Sequence, residues 1–505
     1  MFKQQNKNLS FLKILNFCVI LMEIKQNKKY VYKLNAEGEM KTSPRIYADN
    51  AMVDLLKSEQ EQQNSPLNQL KQLSTLPGLE GVVVCPDLHV GYGCPIGTAT
   101  ASNLKEGLIT FAAMGFDINC GIHSLVLPLS AKEVEEKKKI LVDQLFKDIP
   151  AGVGIGGKLR LNKTEMDEVL EKGAEYVVAK GYGSKKDLQM MEENGRIKKI
   201  DATSVSDKAK ERATDQIGTL GSGNHYCEVQ KIEKLFDADA AKTFGLVEGN
   251  TFVSIHCGSR ALGHQIGTDY LPILDSAVKK YNINIPNRDL VCAPFSSEEG
   301  QKYFSAINAG TNAAFANRQV IGVLTKRVIA KVFEIDEESI KTFYDVGHNT
   351  AKIETYYIGH SVEGAKKQKL LIQRKGSTRG FGPNNEEVPL KYRKIGQPII
   401  VGGSMGTNSF ILKGTKKAMD ETFGSTIHGA GRSMSRTAAM KKWTSEELLL
   451  ELAKKGILIR ARSQKGLPEE APEAYKNISN VVEIMHKAGI SEKVAKLKPI
   501  VCVKG

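Results

Sequence analysis

Five short glycine-rich segments, scattered between Gly115 and Arg432, hold most of the cysteine and histidine chemistry of this 505-residue chain. They read GFDINCG around Asp117 and Cys120, LGSGNH ending in Asn224 and His225, SIHCGSR around His256, DVGHN around His348, and IHGAGR around His428. The chain has nine histidines, and four of them fall in these segments beside Gly or Asn. Glycine lets backbone approach a ligand closely, while His, Cys and Asp are the usual ligands of borderline metals. A chain that spreads such residues so widely must fold so that the segments meet. The pattern asks for one site assembled by tertiary structure, with a metal and a phosphate at its centre.

The surrounding sequence says how the segments are carried. Residues 80–84 (EGVVV) and 108–112 (LITFA) have the short apolar runs of buried strands, each leading into a Gly-rich loop. Strands are expected again at 251–256 and 341–346, each ending at a site histidine. Helices are expected within 48–73, broken near Asn64-Ser65-Pro66, and over 130–147, 164–180, 270–280 and 301–333. The last carries NAAFANRQV on its apolar face. Lysine-rich 185–212 reads as a solvated surface excursion. Strands alternating with helices, and chemistry at strand ends, predict an α/β (mixed α+β) fold in a single large compact domain. No linker or internal repeat divides the chain.

Composition narrows the partner class. Lys plus Arg exceed Asp plus Glu by 14, a balance that suits a polyanion such as nucleic acid as well as ordinary solvated lysines. Eight cysteines, mostly isolated in apolar runs and without a CxxC pair, exclude a secreted disulfide framework and a zinc ribbon. A reducing, cytoplasmic compartment is expected. Residues 8–22 (NLSFLKILNFCVILM) resemble the apolar region of a signal peptide, too short to span a bilayer and followed by no small-residue cleavage site. Met22 is a natural start, so residues 1–21 read as a non-native or loose extension before a domain over 22–505.

Each site histidine, and His89 in PDLHVGYGCPIG, could equally be a satisfied core residue; His123, His264, His360 and His486 are read as structural. The joint pattern argues otherwise for the rest. A strand that ends in His or Cys and turns at Gly points a ligand into a crevice at the sheet edge. Asp117 and Cys120, three apart, can face one metal or bridge two. Carboxylate, thiolate and imidazoles together suit Mn²⁺, Zn²⁺, Fe²⁺ or Co²⁺ without choosing among them. The segment IHGAGRSMSR differs in kind: Gly429 and Gly431 allow backbone N–H groups near an anion, and Arg432 adds a forked donor. His428, set there, is a candidate nucleophile toward phosphorus.

The segments PDLHVGYGCPIG (86–97), GFDINCG (115–121), TLGSGNHYCEV (219–229), HCGSRALGHQIG (256–267), YDVGHN (344–349), GSMGT (403–407), HGAGRSMSR (428–436), EEAPEAYK (469–476) and the terminal VCVKG resemble, in order, those of the RtcB family of RNA ligases. The resemblance implies a GTP- and Mn²⁺-dependent enzyme that joins a 2′,3′-cyclic phosphate or 3′-phosphate RNA end to a 5′-hydroxyl end, in tRNA splicing or RNA repair. It implies that His428 is guanylylated, that the GMP passes to the RNA 3′-phosphate, and that Asp117, Cys120, His225, His256 and His348 hold two Mn²⁺ ions with the thiolate bridging. By the same resemblance Asn224, Glu228, Asn349, Ser404, Gly431, Tyr475 and Lys504 hold the guanylate, and Lys504 must fold back from the C-terminus. Arg260, Lys375, Arg379 and Arg432 are candidates for RNA or phosphate contact. An archease-like activator, a monomeric state and no membrane association are also expected.

The chain departs from the family pattern at Ala112-Ala113-Met114, where Gly-Gly-Val is familiar, at His123, where arginine is common, and over 374–389. None of these removes a ligand or the nucleophile; they bear on RNA-end preference. Rival readings are an enzyme that only caps 3′-phosphate ends, a metal-dependent phosphatase, and a non-catalytic RNA-binding subunit.

Overall fold

The computed structural model describes residues 22–358 and 366–505; the N-terminal extension and His360 lie outside the described residues. Two large sheets organise the chain. The first has seven strands in the order Ile24–Lys28, Val31–Leu34, Arg45–Tyr47, Leu79–His89, Ile96–Asn103, Lys366–Lys375 and Asn349–Ile358. The second is eight-stranded and runs Lys341–Gly347, Gly121–Ser130, Asn250–Cys257, Tyr226–Leu235, Ser491–Lys504, Ser409–Gly414 and Pro398–Val401, with Leu458–Ala461 parallel to Ser491–Lys504. Most neighbouring strands are antiparallel, as a mixed α+β fold allows. The chain passes from the second sheet to the first at His348, which stands between Lys341–Gly347 and Asn349–Ile358. The seam between the sheets therefore runs through a predicted site residue.

The expected helices form, with boundaries set by local chemistry. Ala131–Asp148 starts at a capping box in which Ser130 and Glu133 satisfy each other's backbone N–H groups. The stretch 164–180 breaks into Lys163–Lys172 and Ala174–Ala179 at Gly173, where φ is +57° and a Cβ would come within 2.4 Å of the Gly195 carbonyl oxygen. The helix expected from residue 270 begins ten residues earlier, at Arg260, directly after the SIHCGSR turn. Among the described residues, no helix is long and apolar enough to cross a membrane.

Glu298–Phe333 is the longest helix, at 36 residues, and its middle is buried all round rather than on one face. Asn312, Asn317, Arg318 and Gln319 are therefore core residues and each needs partners. Asn317 accepts from the N–H groups of Gly218 and Thr219 and donates to the carbonyls of Thr219 and Gly258. Arg318 donates to both carboxylate oxygens of Asp345, to the carbonyls of Asn119 and Cys257, and to Asn119 Oδ1. His123 Nδ1 adds a 3.1 Å contact to Asp345 Oδ2, which gives this histidine the structural role expected of it.

Residues 185–212 correct the sequence reading in part. Lys185, Lys186, Lys198, Lys199 and Lys208 are exposed, as are Asp201, Asp207 and Glu211, but Asp187 and Glu192 are buried. Glu192 is buried against Lys352 at 2.9 Å and Arg379 at 3.0 Å, and Asp187 pairs with Lys326 at 2.7 Å. The segment is anchored by carboxylates whose cations come from distant strands and from the long helix.

Asp345→Ala leaves the Arg318 guanidinium buried beside no carboxylate and should cost about 3–5 kcal/mol of stability, read as a lowered urea midpoint. Replacing both residues by apolar side chains of similar size should recover only part of that loss, because the Asn119 and Cys257 carbonyls and His123 Nδ1 then lose their partners.

Candidate active site

Strand ends deliver the metal-ligand candidates. Cys120 immediately precedes Gly121–Ser130, His225 immediately precedes Tyr226–Leu235, and His256 lies in Asn250–Cys257, paired across the sheet with Ile122 and Tyr226. His348 completes the set from the seam, its N–H donating to the Cys120 carbonyl at 2.7 Å. The Cys120 Sγ lies 3.4 Å from His225 Nε2 and 3.2 Å from His256 Nε2; His256 Nε2 lies 3.2 Å from His348 Nε2, and His225 Nε2 lies 3.0 Å from Asp117 Oδ2. These donors form two groups, Cys120–His256–His348 and Asp117–Cys120–His225, each with its ligand atoms within 4.8 Å of one another. Cys120 belongs to both, the placement a bridging thiolate needs. His256 Nδ1 contacts the Asn224 carbonyl at 3.1 Å, which turns Nε2 toward the cluster.

The electrostatics fit a cation. Burial and then the neighbouring cationic groups hold His256 and His348 well below the ordinary imidazole range, in the neutral form that ligates metal. Burial and the adjacent Asp117 push the Cys120 thiol up to about 12, so a thiolate there needs a positive partner. Burial works against charge on Asp117, yet His225 brings its carboxyl down to about 2. Burial likewise opposes charge on His225, but Cys257, Asp117 and Cys120 together raise it well above its usual value. Soft thiolate, imidazole and carboxylate donors at these distances suit a divalent transition metal.

His428 follows the strand Ser425–Ile427, its ring centroid 5.0 Å from that of His348. Its partner is Asp87, which was not singled out from the sequence although it sits two residues before His89. Asp87 is fully buried; its Oδ2 lies 2.6 Å from His428 Nδ1 and accepts the His428 N–H at 2.9 Å. The anion expected at the glycine-rich turn is thus a carboxylate of the protein. With Nδ1 committed to Asp87, Nε2 is the nitrogen left for chemistry. Gly431 is required here for a steric reason: φ is +72° and a Cβ would lie 2.1 Å from the Asp87 carbonyl oxygen. Lys476 fixes the same strand, donating to the carbonyls of Pro86 and Leu88 on either side of Asp87.

A cavity of about 560 Å³ joins these parts. Asp117, Cys120, His256, His348 and His428 line it, and so do Asn224, Glu228, Asn349, Ser404, Gly431, Tyr475 and Lys504. Lys504 reaches the cavity as the last residue of the strand Ser491–Lys504, opposite Tyr226, and is buried. Burial pushes the Glu228 carboxyl up to about 7, against the opposing pull of Gln230 and Lys504. The Asn349 amide is held at both ends, donating to the Asp117 carbonyl and accepting from Gly376 N–H. Tyr226 Oη is buried on the cavity wall without a protein partner, a polar atom that a bound ligand would satisfy.

The basic candidates divide. Lys375 lines the cavity, where burial holds its ammonium down to about 8, but two of its N–H groups go to the carbonyls of Tyr92 and Cys94. Arg432 also lines it, with its guanidinium bonded to Tyr475, Glu470 and the carbonyls of Met434 and Glu469. Arg260 lies outside that lining, at the helix start with φ +58° and its Nε on Thr219 Oγ1. Arg379 corrects the sequence reading. It is buried, paired with Glu192, Glu193 and Glu387, and outside the cavity, because three carboxylates from neighbouring segments enclose it. Every described cysteine is free and buried.

The family model for the tRNA-splicing ligase RtcB matches residues 69–505. The chain belongs to this family. It is 45% identical over 481 residues to the tRNA-splicing ligase RtcB of Methanococcus maripaludis, covering 95% of this chain and 98% of that one. The protein of the same name from Archaeoglobus fulgidus is 48% identical over 442 residues, covering 87% and 91%. That from Nanoarchaeum equitans is 41% identical over 490 residues, covering 96% and 100%. The match takes in both donor groups, His428 and the C-terminal strand.

A divalent transition metal should raise the melting temperature by mass action. Cys120→Ala, which removes the donor common to both groups, should lose most of that rise in the same thermal scan.

Proposed function

We propose that this chain is a GTP-consuming RNA ligase that joins a 2′,3′-cyclic phosphate or 3′-phosphate end to a 5′-hydroxyl end, as in tRNA splicing or RNA repair. The observation that carries the reading is the placement of His428. Its Nδ1 is held by a buried carboxylate, and His428 lines one cavity with four of the five metal-donor residues, Asp117, Cys120, His256 and His348. A metal-dependent phosphatase that attacks with water needs no such oriented nitrogen, and an RNA-binding subunit needs neither part.

The chain's own groups then have definite tasks. His428 Nε2 attacks the α-phosphorus of GTP, forming a P–N bond as the bond to pyrophosphate breaks. Nδ1 keeps its proton toward Asp87, which offsets the positive charge that develops on the ring. An oxygen of the RNA 3′-phosphate, released from a cyclic end by water, next attacks the same phosphorus. The P–N bond breaks, His428 regains its lone pair, and the RNA end carries a 3′-to-5′ pyrophosphate linkage to guanosine. The 5′-hydroxyl attacks the 3′-phosphorus, loses its proton and displaces GMP. Asp117, Cys120, His225, His256 and His348 would hold two Mn²⁺ ions, which would supply charge neutralisation and in-line alignment of the phosphates.

For the guanylate, the proposal has Glu228 accept from the N–H edge of guanine, with Asn224, Asn349, Ser404, Tyr475 and Lys504 around the remainder; all six line the same cavity. Arg260, Lys375 and Arg432 are proposed near RNA phosphates. The protein is proposed to act in the cytoplasm as a monomer, with RNA as its macromolecular substrate and an archease-like activator as a candidate partner.

Incubation with α-labelled GTP and Mn²⁺ should give an acid-labile, alkali-stable protein adduct that disappears in His428→Ala. Joining of 3′-phosphate and 5′-hydroxyl RNAs, read on a gel, should accompany it. An adduct without joining would point to end-capping, and an adduct that persists in His428→Ala would sink the mechanism. Asp87→Ala, which frees Nδ1 and its ring orientation, should slow adduct formation by about 10²-fold or more.

GTP affinity should depend on Glu228. Its carboxyl is raised to about 7, so the accepting carboxylate is lost as pH falls through that value. Affinity should rise between pH 6 and 8, and Glu228→Gln should flatten the profile in a nucleotide-binding titration. The stability contribution has the opposite slope: the protonated form favours the folded state below the ordinary carboxyl range, and that gain is lost as pH rises through 7.

A further inference from the structure

A second cavity, of about 490 Å³, opens beside the first and shares His89, Val90, Arg432 and Arg436 with it. Its walls are apolar: Met52 and Leu55 from the helix Asn50–Glu59 face Pro86, Leu88 and Met434. Leu55 and Val90 are 48% and 50% exposed, so the opening is lined with apolar surface that no other part of the described chain covers. Glu59 and Gln62 add a carboxylate and an amide to this lining. Where the two cavities join stands Arg436, its side chain 62% exposed and held only by a 3.8 Å ion pair to Glu469. His89, a wall of both cavities, lies nearly parallel to His428, with ring centroids 6.4 Å apart.

We propose that this slot receives the terminal nucleobase of the RNA strand that carries the 3′-phosphate, while that phosphate lies in the adjoining cavity near His428. The inference rests on the ligase reading above. Size and lining suit a small, flat, largely apolar group with a polar edge, since ligand pockets of this kind run from roughly 300 to 1,000 Å³. Proteins that grip single strands combine apolar or aromatic surfaces for the bases with cations for the backbone, and both are present. Arg436, unlike Arg432, has donors free for a backbone phosphate. The choice of strand follows from the reaction. The 3′ end must stay in place while its cyclic phosphate is opened, its phosphate is guanylylated and its phosphorus is attacked. The 5′-hydroxyl strand is needed only for the last of these steps. A base slot that adjoins the cavity of His428 retains the end that must be retained.

The test uses the full chain and paired substrates that differ only in the last nucleoside of the 3′-phosphate strand, one normal and one abasic. The abasic strand should be joined with a KM about tenfold higher, in line with the loss of one base contact. Leu55→Trp fills the slot from an exposed helix position, so the core is not disturbed. It should raise KM for the normal strand about as much and add little with the abasic strand, because both changes remove one interaction. Equal KM values for the two strands in the unsubstituted protein would overturn the slot, whatever the variant does. So would a base requirement confined to the 5′-hydroxyl strand, or a Leu55→Trp effect on the KM for GTP alone. If neither strand is joined at all, the ligase reading falls and the slot with it; if both are joined alike, only the slot falls.

Discussion

The buried Arg318–Asp345 pair holds the active site together from behind. Arg318 leaves the middle of the long helix and reaches, at once, the carboxylate of the YDVGHN segment, the Asn119 carbonyl beside Cys120 and the Cys257 carbonyl beside His256. Three of the five glycine-rich segments are thereby fixed to one guanidinium. Buried ion pairs contribute little to net stability unless further hydrogen bonds use the remaining donors, and here the pair is surrounded by such bonds. Its value is geometric. Loops rich in glycine have many conformations open to them, and a rigid planar donor selects the one in which the ligand atoms converge. Asn317, one residue earlier, does the same for the backbone before Asn224 and His225.

Given that frame, charge is distributed in two ways around one cavity. On the metal side, a carboxylate, a thiol and three imidazoles are packed together, and burial makes the thiolate form of Cys120 costly unless a cation is present. On the nucleophile side, one carboxylate is already matched, by His428 Nδ1 and by backbone N–H groups. The first side is built to accept charge from outside and the second to keep its own. A histidine placed in the first group would have its nitrogen occupied by metal. His428, a few ångströms away but turned to Asp87, keeps that nitrogen free.

Much of this was legible in the sequence, because the chemistry sits at strand ends and strand ends are marked by glycine. Residue type and neighbouring glycine marked the five donor residues and His428 as candidates, the family resemblance divided them into ligands and nucleophile, and the helix and strand pattern around them follows hydrophobic spacing. What escaped were residues defined by a distant partner. Asp87 is one carboxylate among many until Gly431 brings the His428 turn over it. Lys504, named only through the family resemblance, reads by spacing alone as a solvated terminal lysine, and the pairing of its strand with Tyr226 is what buries it. Arg379 reads as a candidate for RNA or phosphate contact, and Glu192 as part of a solvated run, yet the two are buried together as an ion pair. Spacing along the chain carries no information about such pairs.

The C-terminal strand shows why the site needs the whole chain. Ser491–Lys504 lies between Tyr226–Leu235 and Ser409–Gly414, with Leu458–Ala461 added near its end. Its last residues therefore border the strand that follows His225 and carries Glu228, while Ser404 reaches the same cavity from the turn before Ser409–Gly414. A lysine delivered by a central strand has little freedom left to lose when a phosphate arrives, whereas a flexible tail would have to be ordered first. The Asn349 amide and the His428 ring are likewise held by protein partners before any ligand arrives. The ordering cost of the site is met during folding, so binding energy remains for holding phosphates in line.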